Sequence, residues 1–566
     1  MSIKKTMSIR AEQQEIMEER RERIRSRLLP PSPIDYRPGE EEEDPEVSHM
    51  TPNSAPRVIF AGEDLVEVKM PPGSRVIRAR EPRRPLGDPR GAVRYALLHP
   101  LKSPPLPELL RPGMKVVIAL DDLSMPLPAM KSPDIRSLML EETIALLDAA
   151  GVEDVRIIIA IALHRRMKPR EIRRITGSAV FDRFYPDRLY NHDAENESEM
   201  TRLGVAEGGE VVQINRRAAE CDLLIYLNLN FVPMNGGHKS VATGLSGYEG
   251  IREHHDPEVI AACNSYMDPE HSELARSNRR INGFIEAGIK VFHVESTLNT
   301  EMFSPALSFL AKDEDEYTAF DIKKKNALRD RLKNIPPAVR RKLFARIPAP
   351  YGVTMVQAGE VNAVHERILS ISRKQYAIRV KGQADVLAFG VPFVCPYSVN
   401  SILNPLLVQV MALGYIYNLY EGGVPLLREG GVMILFHPCR DEFDAEAHPS
   451  YIEFFNRLLP ESRDSIYLQN HYEEEFASNP EYIRLYREGY AFHGVHPFYM
   501  WYWGENGRRR VGRVIVVGAK DKHVPVRLGW ENADNFEQAL EMARRDFPEP
   551  RVTLLKTSPM LITRCV

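Results

Sequence analysis

Residues 114–120 read Met-Lys-Val-Val-Ile-Ala-Leu and run straight into Asp121-Asp122-Leu123-Ser124-Met125-Pro126. A short, nearly uninterrupted apolar run suits a strand buried on both faces of a parallel sheet, which shows water neither side. Downstream, Ile135–Ala150 has helical spacing and stops at Gly151, and Val155–Ala162 is a second buried run. Strand, helix, strand in that order predicts a doubly wound α/β domain. Leu223–Leu229 and Ile289–Val294 continue the series. Val386–Phe389, Val432–Phe436 and Val514–Val517, with a late helix over Asn535–Arg545, predict a second α/β region.

At about 100 to 200 residues per domain, 566 residues allow three or four domains; the strand rhythm reduces these to two. We divide the chain into a charged, proline-rich extension (1–56), a first α/β domain (57–298), a helical connector (299–350) and a second α/β domain (351–566). Within the second domain, the last residues are free to return to the first. Short strands are expected at Val58–Phe60 and Leu65–Val68, and Pro336-Pro337 breaks the connector. The segment Ala11–Arg27 has helical character but offers too narrow an apolar face to dock firmly. With Pro30-Pro31-Ser32-Pro33 and Glu40–Asp44 it is expected to be solvated and partly disordered.

Lys and Arg number 75 against 78 Asp and Glu, a net charge of −3, which gives no reason to expect nucleic-acid or membrane-surface binding. No apolar run reaches the roughly 18 residues of a membrane span, and the N-terminus lacks the apolar core of a secretory signal. A soluble, cytoplasmic protein is expected. Five scattered cysteines with no Cys-x-x-Cys pair indicate neither a disulfide framework nor a structural zinc site.

Ligands of open α/β sheets bind beyond the carboxyl ends of strands, and three polar groups fall there. Asp121-Asp122-Leu123-Ser124 follows the first strand. His164-Arg165 follows the second. The loop Pro233-Met234-Asn235-Gly236-Gly237-His238-Lys239-Ser240 follows the Leu223–Leu229 strand. Paired glycines let backbone approach a ligand, and a lysine there can meet a phosphate or form a covalent bond. The loop lacks the glycine spacing of a Walker motif, and a tight turn with a surface lysine is the plainer alternative.

These pieces, in order, resemble the nickel-pincer-nucleotide-dependent lactate racemase family. The resemblance rests on Asp121–Pro126, on His164-Arg165 followed by Glu171, and on Asn191-His192-Asp193. It continues through Gly204 and Gly209 before Val211–Asn215, Gly236-Gly237-His238-Lys239 and His254-His255. It covers about residues 95–300 well and the C-terminal half more loosely, through Leu528-Gly529-Trp530 and the helix containing Ala539. The resemblance implies two Rossmann-like α/β domains with mostly parallel sheets facing a cofactor cleft. It also implies a pyridinium-bisthiocarboxylate mononucleotide joined through a thioamide to Lys239, holding nickel. Sixteen residues after Lys239 stands His255, matching the histidine that completes the metal's square plane. Gly236, Gly237, His238 and Ser124 match positions beside the cofactor. His164 matches the histidine that takes the hydroxyl proton of a 2-hydroxy acid, with Asp122 grouped beside it.

The departures are specific. Met125 replaces the arginine of the family's turn. Leu229-Asn230-Phe231-Val232 holds no histidine where the family has a second one, and no lysine or arginine occurs between Lys381 and Arg428, where Pro396–Leu406 corresponds to the family's lysine-bearing helix. His192, His238, His493 and His496 are the candidates to replace the missing histidine, and Trp501 lies in an aromatic run beside His496. The expectation is therefore a racemase- or epimerase-like enzyme acting by reversible hydride transfer on a 2-hydroxy acid or related hydroxyl-bearing carbon, larger than lactate or less dependent on carboxylate clamping, and supplied with its nucleotide by cofactor-biosynthesis enzymes. The alternatives are a non-catalytic relative that binds the cofactor and an α/β protein that binds an ordinary nucleotide without nickel.

Overall fold

The computed structural model describes residues 3–28, 39, 41–125, 128–393, 404–556 and 560–566. The proline run at 30–33 and residues 396–403 of the stretch matched to the lysine-bearing helix lie outside them.

The apolar run that opened the reading forms the strand Lys115–Asp121, with Val116 to Leu120 all buried. It pairs in parallel with Asp154–Ala160 on one side and Leu223–Asn230 on the other. The full six-stranded order is Val353–Gly359, Val291–Leu298, Leu223–Asn230, Lys115–Asp121, Asp154–Ala160, Leu189–Asn191. The helix Ile135–Ala149 starts where the Asp134 carboxylate accepts from the Arg136 N–H, and it gives way to Gly151 at φ +69°.

The second sheet has seven strands, in the order Val47–His49, Arg75–Ile77, Val552–Leu555, Ala384–Gly390, Leu427–Phe436, Arg513–Val517, Glu531–Ala533. All its pairs are parallel except that between Val47–His49 and Arg75–Ile77. Both sheets are thus mostly parallel, as expected from their apolar runs.

Three domain boundaries differ from expectation. Val47–His49 and Arg75–Ile77 add to the second sheet, so the chain enters that domain before it builds the first. The antiparallel edge strand Val353–Gly359 belongs to the first sheet, pairing with Val291–Leu298. The last residues do not return to the first sheet: Ile562–Cys565 pairs with Ala377–Val380. The connector forms helices Ala319–Lys333 and Pro337–Phe344. These fold back onto the hairpin Arg57–Ala61/Asp64–Val68 through Lys325–Glu67 and Arg341–Glu63 ion pairs.

The N-terminal segment also departs from the solvated reading. Ile3–Arg27 is a helix that docks by charge rather than by an apolar stripe. Buried Arg20 meets Asp256 at 2.8 Å and donates to the Arg252 carbonyl at 2.5 Å; Arg23 meets Glu253 at 2.8 Å. Only Ile24 supplies a fully buried apolar contact along the part whose side chains are described. Removing one member of a buried ion pair strands the other, a cost of about 3 kcal/mol or more. Arg20→Ala is therefore expected to open the segment before Arg27 to limited proteolysis and to lower the chemical-denaturation midpoint. An unchanged cleavage pattern would mean that the helix is held by something else.

Candidate active site

The strand ends meet as the topology requires. The Asp121 carboxylate accepts from the Asn228 side-chain amide at 2.6 Å, the Leu229 N–H at 2.8 Å and the Tyr226 hydroxyl at 3.2 Å. Burial nevertheless pushes its pKa up to about 7. Asp122 turns the other way. One oxygen meets Nδ1 of His164 at 2.8 Å, the other accepts from the Ser124 N–H at 2.9 Å. Burial opposes its ionisation, but His164 and Ser124 together hold its carboxyl below the ordinary range. Arg136, buried and paired with Asp134 at 2.8 Å, donates to the carbonyls of Asp122 and Met125 and fixes the turn.

One cavity gathers Asp121, Asp122, Ser124, Met125, His164, Gly236, Lys239 and His255, with His496, Tyr499 and Met500 closing it from the second domain. Burial lowers the Lys239 ammonium to about 8, against the pull of Asp121. Its Nζ lies 3.4 Å from the Asn235 side-chain oxygen and 5.5 Å from the Trp503 ring centre. His255, just past the helix Tyr248–His254, is held well below its ordinary pKa by burial, with neighbouring His254 and Lys239 adding to the effect. Its ring stacks on Trp503 at 5.4 Å, and its Nδ1 has no hydrogen-bond partner among the described residues. Adjacent His254 points instead to the Thr243 hydroxyl at 3.0 Å. The structure thus separates two histidines that the sequence left side by side.

Two of the expected cofactor-contacting positions face elsewhere. His238 bonds Asn362 at 2.5 Å and Asn282 at 2.9 Å and does not line this cavity. Gly237 is outside the cavity as well. Its φ of +55° and the His365 ring, 2.7 Å from where a Cβ would stand, are what require glycine. Gly236 lines the cavity, but a Cβ there would meet the Glu295 carboxylate at 2.3 Å. The paired glycines therefore serve close packing on Glu295 and His365.

The candidate replacement histidines are also sorted. His192 is buried against the Ser246 carbonyl at 3.1 Å and lowered to about 4 by burial. His493 pairs with Glu195 at 2.6 Å. His496 reaches the cavity, its ring 5.4 Å from that of His164, with Nδ1 2.5 Å from the Tyr451 hydroxyl. Trp501 packs on Phe454 and donates to the Arg463 carbonyl at 3.2 Å, whereas Trp503 sits beside His255 and Lys239.

The cluster His293–Glu295–His365 carries no sequence signal. Glu295 is fully buried, 3.1 Å from His293 and 3.0 Å from His365, and accepts from the Gly237 N–H at 3.4 Å. Burial works against its charge, yet the two imidazoles hold it down at about 2. It anchors the turn from which Lys239 departs.

Residues 61–268 match the family described as lactate racemase N-terminal domain, a range that contains Asp122, His164, Lys239 and His255. A lactate racemase of Lactiplantibacillus plantarum is 30% identical over 172 residues, 30% of this chain and 38% of that protein. One from Thermoanaerobacterium thermosaccharolyticum is 27% identical over 201 residues, 34% of this chain and 45% of that protein. The matched stretch spans less than half the length of these curated relatives. The solved lactate racemase apoprotein from Thermoanaerobacterium thermosaccharolyticum matches with a TM-score of 0.57 at 18% identity. That match covers 90% of this chain and 100% of that one, a likeness of fold.

The Lys239 shift has a consequence for stability. The folded protein releases this proton near pH 8, whereas the unfolded chain keeps it to its ordinary 10.5. Between those values the unfolded state binds more protons, so the group's destabilising effect fades as pH rises. Lys239→Met is expected to raise the melting temperature of the protein most below pH 8. The gain should shrink toward zero by about pH 10.5, and a pH-independent difference would contradict the assignment.

Proposed function

We propose, from the match of residues 61–268 to the lactate racemase N-terminal domain family and the similarity to two lactate racemases, that the chain is a divergent lactate racemase-like protein. It is an isomerase that racemises or epimerises a 2-hydroxy acid, or a related hydroxyl-bearing carbon, using a nickel pincer nucleotide tethered to Lys239. The observation that carries this reading is the meeting of Lys239, His255 and the His164–Asp122 pair on one cavity.

The residues fit such a group. A lysine that gives up its proton near pH 8 offers the neutral amine that a covalent linkage needs. His255 offers a buried imidazole with an unpartnered Nδ1, and the neutral ring is the metal-ligating form. Among the described residues no group of three or more His, Cys, Asp or Glu side chains is arranged to hold a metal ion. A metal here would draw its other donors from the bound group, and sulfur with imidazole suits nickel. Reversible acceptance of hydride from the substrate carbon is the chemistry that the nucleotide supplies when bound.

His164 receives the hydroxyl proton. An ionised Asp122 can only accept hydrogen bonds, so it keeps the proton on Nδ1 of His164 and leaves Nε2 as the base. Inversion calls for hydride to return to the opposite face of the carbonyl carbon while a proton returns to its oxygen in the turned-over position, and His496, neutral through burial, supplies the second imidazole for that proton. Tyr415, Tyr499 and Met500 wall the cavity and limit water around the reacting carbon. Met125 leaves the turn without a cation to clamp a small carboxylate, which argues against lactate itself as substrate.

Protein made in cells that synthesise the nucleotide is expected to carry nickel and an added mass at Lys239. Lys239→Ala should lose both; a variant that binds nickel as well as its parent ends this reading. His164→Asn should keep the adduct and the nickel yet lose about 10²- to 10⁴-fold in turnover, followed by chiral chromatography over a panel of 2-hydroxy acids.

A further inference from the structure

Beside the candidate active site lies a second cavity of opposite character. Phe60, Val232, Phe303, Leu307, Phe344 and Ile347 form much of its wall. They come from the hairpin at 57–68, the loop after the Leu223–Asn230 strand, and the connector. The only charged residue among its described lining, Lys556, has its ammonium engaged by Glu314 at 2.9 Å and by the Lys312 carbonyl. The wall therefore offers an incoming ligand almost nothing but apolar surface. At one end Ser304 and Ile347 are exposed to solvent. At the other, Met125 and Tyr415 line both this cavity and the one holding His164 and Lys239.

Apolar surface facing water costs roughly 25 cal/mol per Å² relative to burial. An apolar chamber that shares its wall with a polar, proton-handling one suits an amphipathic ligand. The residue at the junction points the same way: Met125 is uncharged, unbranched and adaptable, and its backbone is pinned through the Arg136 hydrogen bond to its carbonyl.

We propose that the substrate is a 2-hydroxy acid carrying an apolar alkyl or aryl tail. Its hydroxyl end lies at His164, and its tail passes Met125 and Tyr415 into the second cavity. The proposal rests on the reading of the Lys239–His164 cavity given above, and it identifies the class of substrate within that reading.

The test compares lactate, 2-hydroxyhexanoate, 2-hydroxyoctanoate and 3-phenyllactate on cofactor-loaded protein, by titration calorimetry for binding and chiral chromatography for racemisation. Affinity is expected to rise by up to about fourfold for each methylene that becomes buried, with kcat/KM following it. Leu307→Trp, which fills the chamber, and Ile347→Glu, which places a charge at its exposed rim, are expected to abolish the gain for the long acids. Both should leave binding of the short acid within about twofold of the parent; neither residue lines the catalytic cavity. Affinity that is flat with chain length, or loss of short and long acids alike in both variants, overturns the proposal. Racemisation of the series without chain-length dependence would do so while leaving the site reading intact. Chain-length-dependent binding that Leu307→Trp abolishes, with no racemisation of any member, would uphold the chamber and overturn the site reading instead.

Discussion

The arrangement of the candidate site depends on the carboxylate of Asp121. The backbone ladder between the central strand and its neighbour runs as far as Leu120 and Leu227. Beyond that point the Asp121 side chain continues the pairing, accepting from the Asn228 amide and the Leu229 N–H. Because a side chain rather than the backbone closes the gap, the two chains can part there. One turns through Asp122 toward His164; the other enters the loop that carries Lys239. A neutral residue of the same shape could accept fewer of these bonds, and the three donors show why a carboxylate is retained at a place where burial lifts its pKa to about 7.

This geometry was legible in the sequence to the extent that it followed from strand ends. The apolar runs marked the strands, and the rule that ligands gather at their carboxyl ends brought Asp122, His164 and Lys239 together before any coordinates did. The resemblance, through the sixteen-residue step from Lys239, singled out His255 over His254; the structure puts His255 on the cavity wall and turns the preceding His254 to Thr243. What was not legible depended on long-range partners. Val47–His49 is too short and too polar to announce a strand, and it forms one only because Arg75–Ile77 offers an edge. The N-terminal helix lacks an apolar stripe, so its docking through Arg20 had no periodic trace. The glycine pair read as a ligand cradle is set by Glu295 and His365, which lie far along the chain. His496 was visible only as one candidate among several until the second domain brought it against His164.

The second domain does more than cover the first. Its helix His496–Trp503 is buried at every position, as a helix with no solvent face must be. It is joined to the first domain where the Tyr266 hydroxyl donates to the Trp503 carbonyl at 2.8 Å. That contact sets Trp503 against His255, and the aromatic surface helps to keep the imidazole desolvated and uncharged. Arg20 and Arg23 in turn grip Asp256 and Glu253, the residues flanking the two histidines. His255 thus has an aromatic neighbour and an ionic brace close by in sequence, each supplied by a part of the chain outside the first sheet.

Met125 is where these constraints meet. Arg136 binds the carbonyls of Asp122 and Met125, so the turn is built around a cation that faces the backbone and not the cavity. The positive charge that organises the turn is therefore no longer available to a ligand carboxylate, and the side chain at the junction is free to be apolar. An uncharged residue there also removes the electrostatic reason for the neighbouring wall to be polar. The apolar lining beyond it is contributed largely by the hairpin and the connector. On the proposed reading, a turn without a cation for the head of a small acid and an apolar chamber for the tail of a larger one meet at Met125.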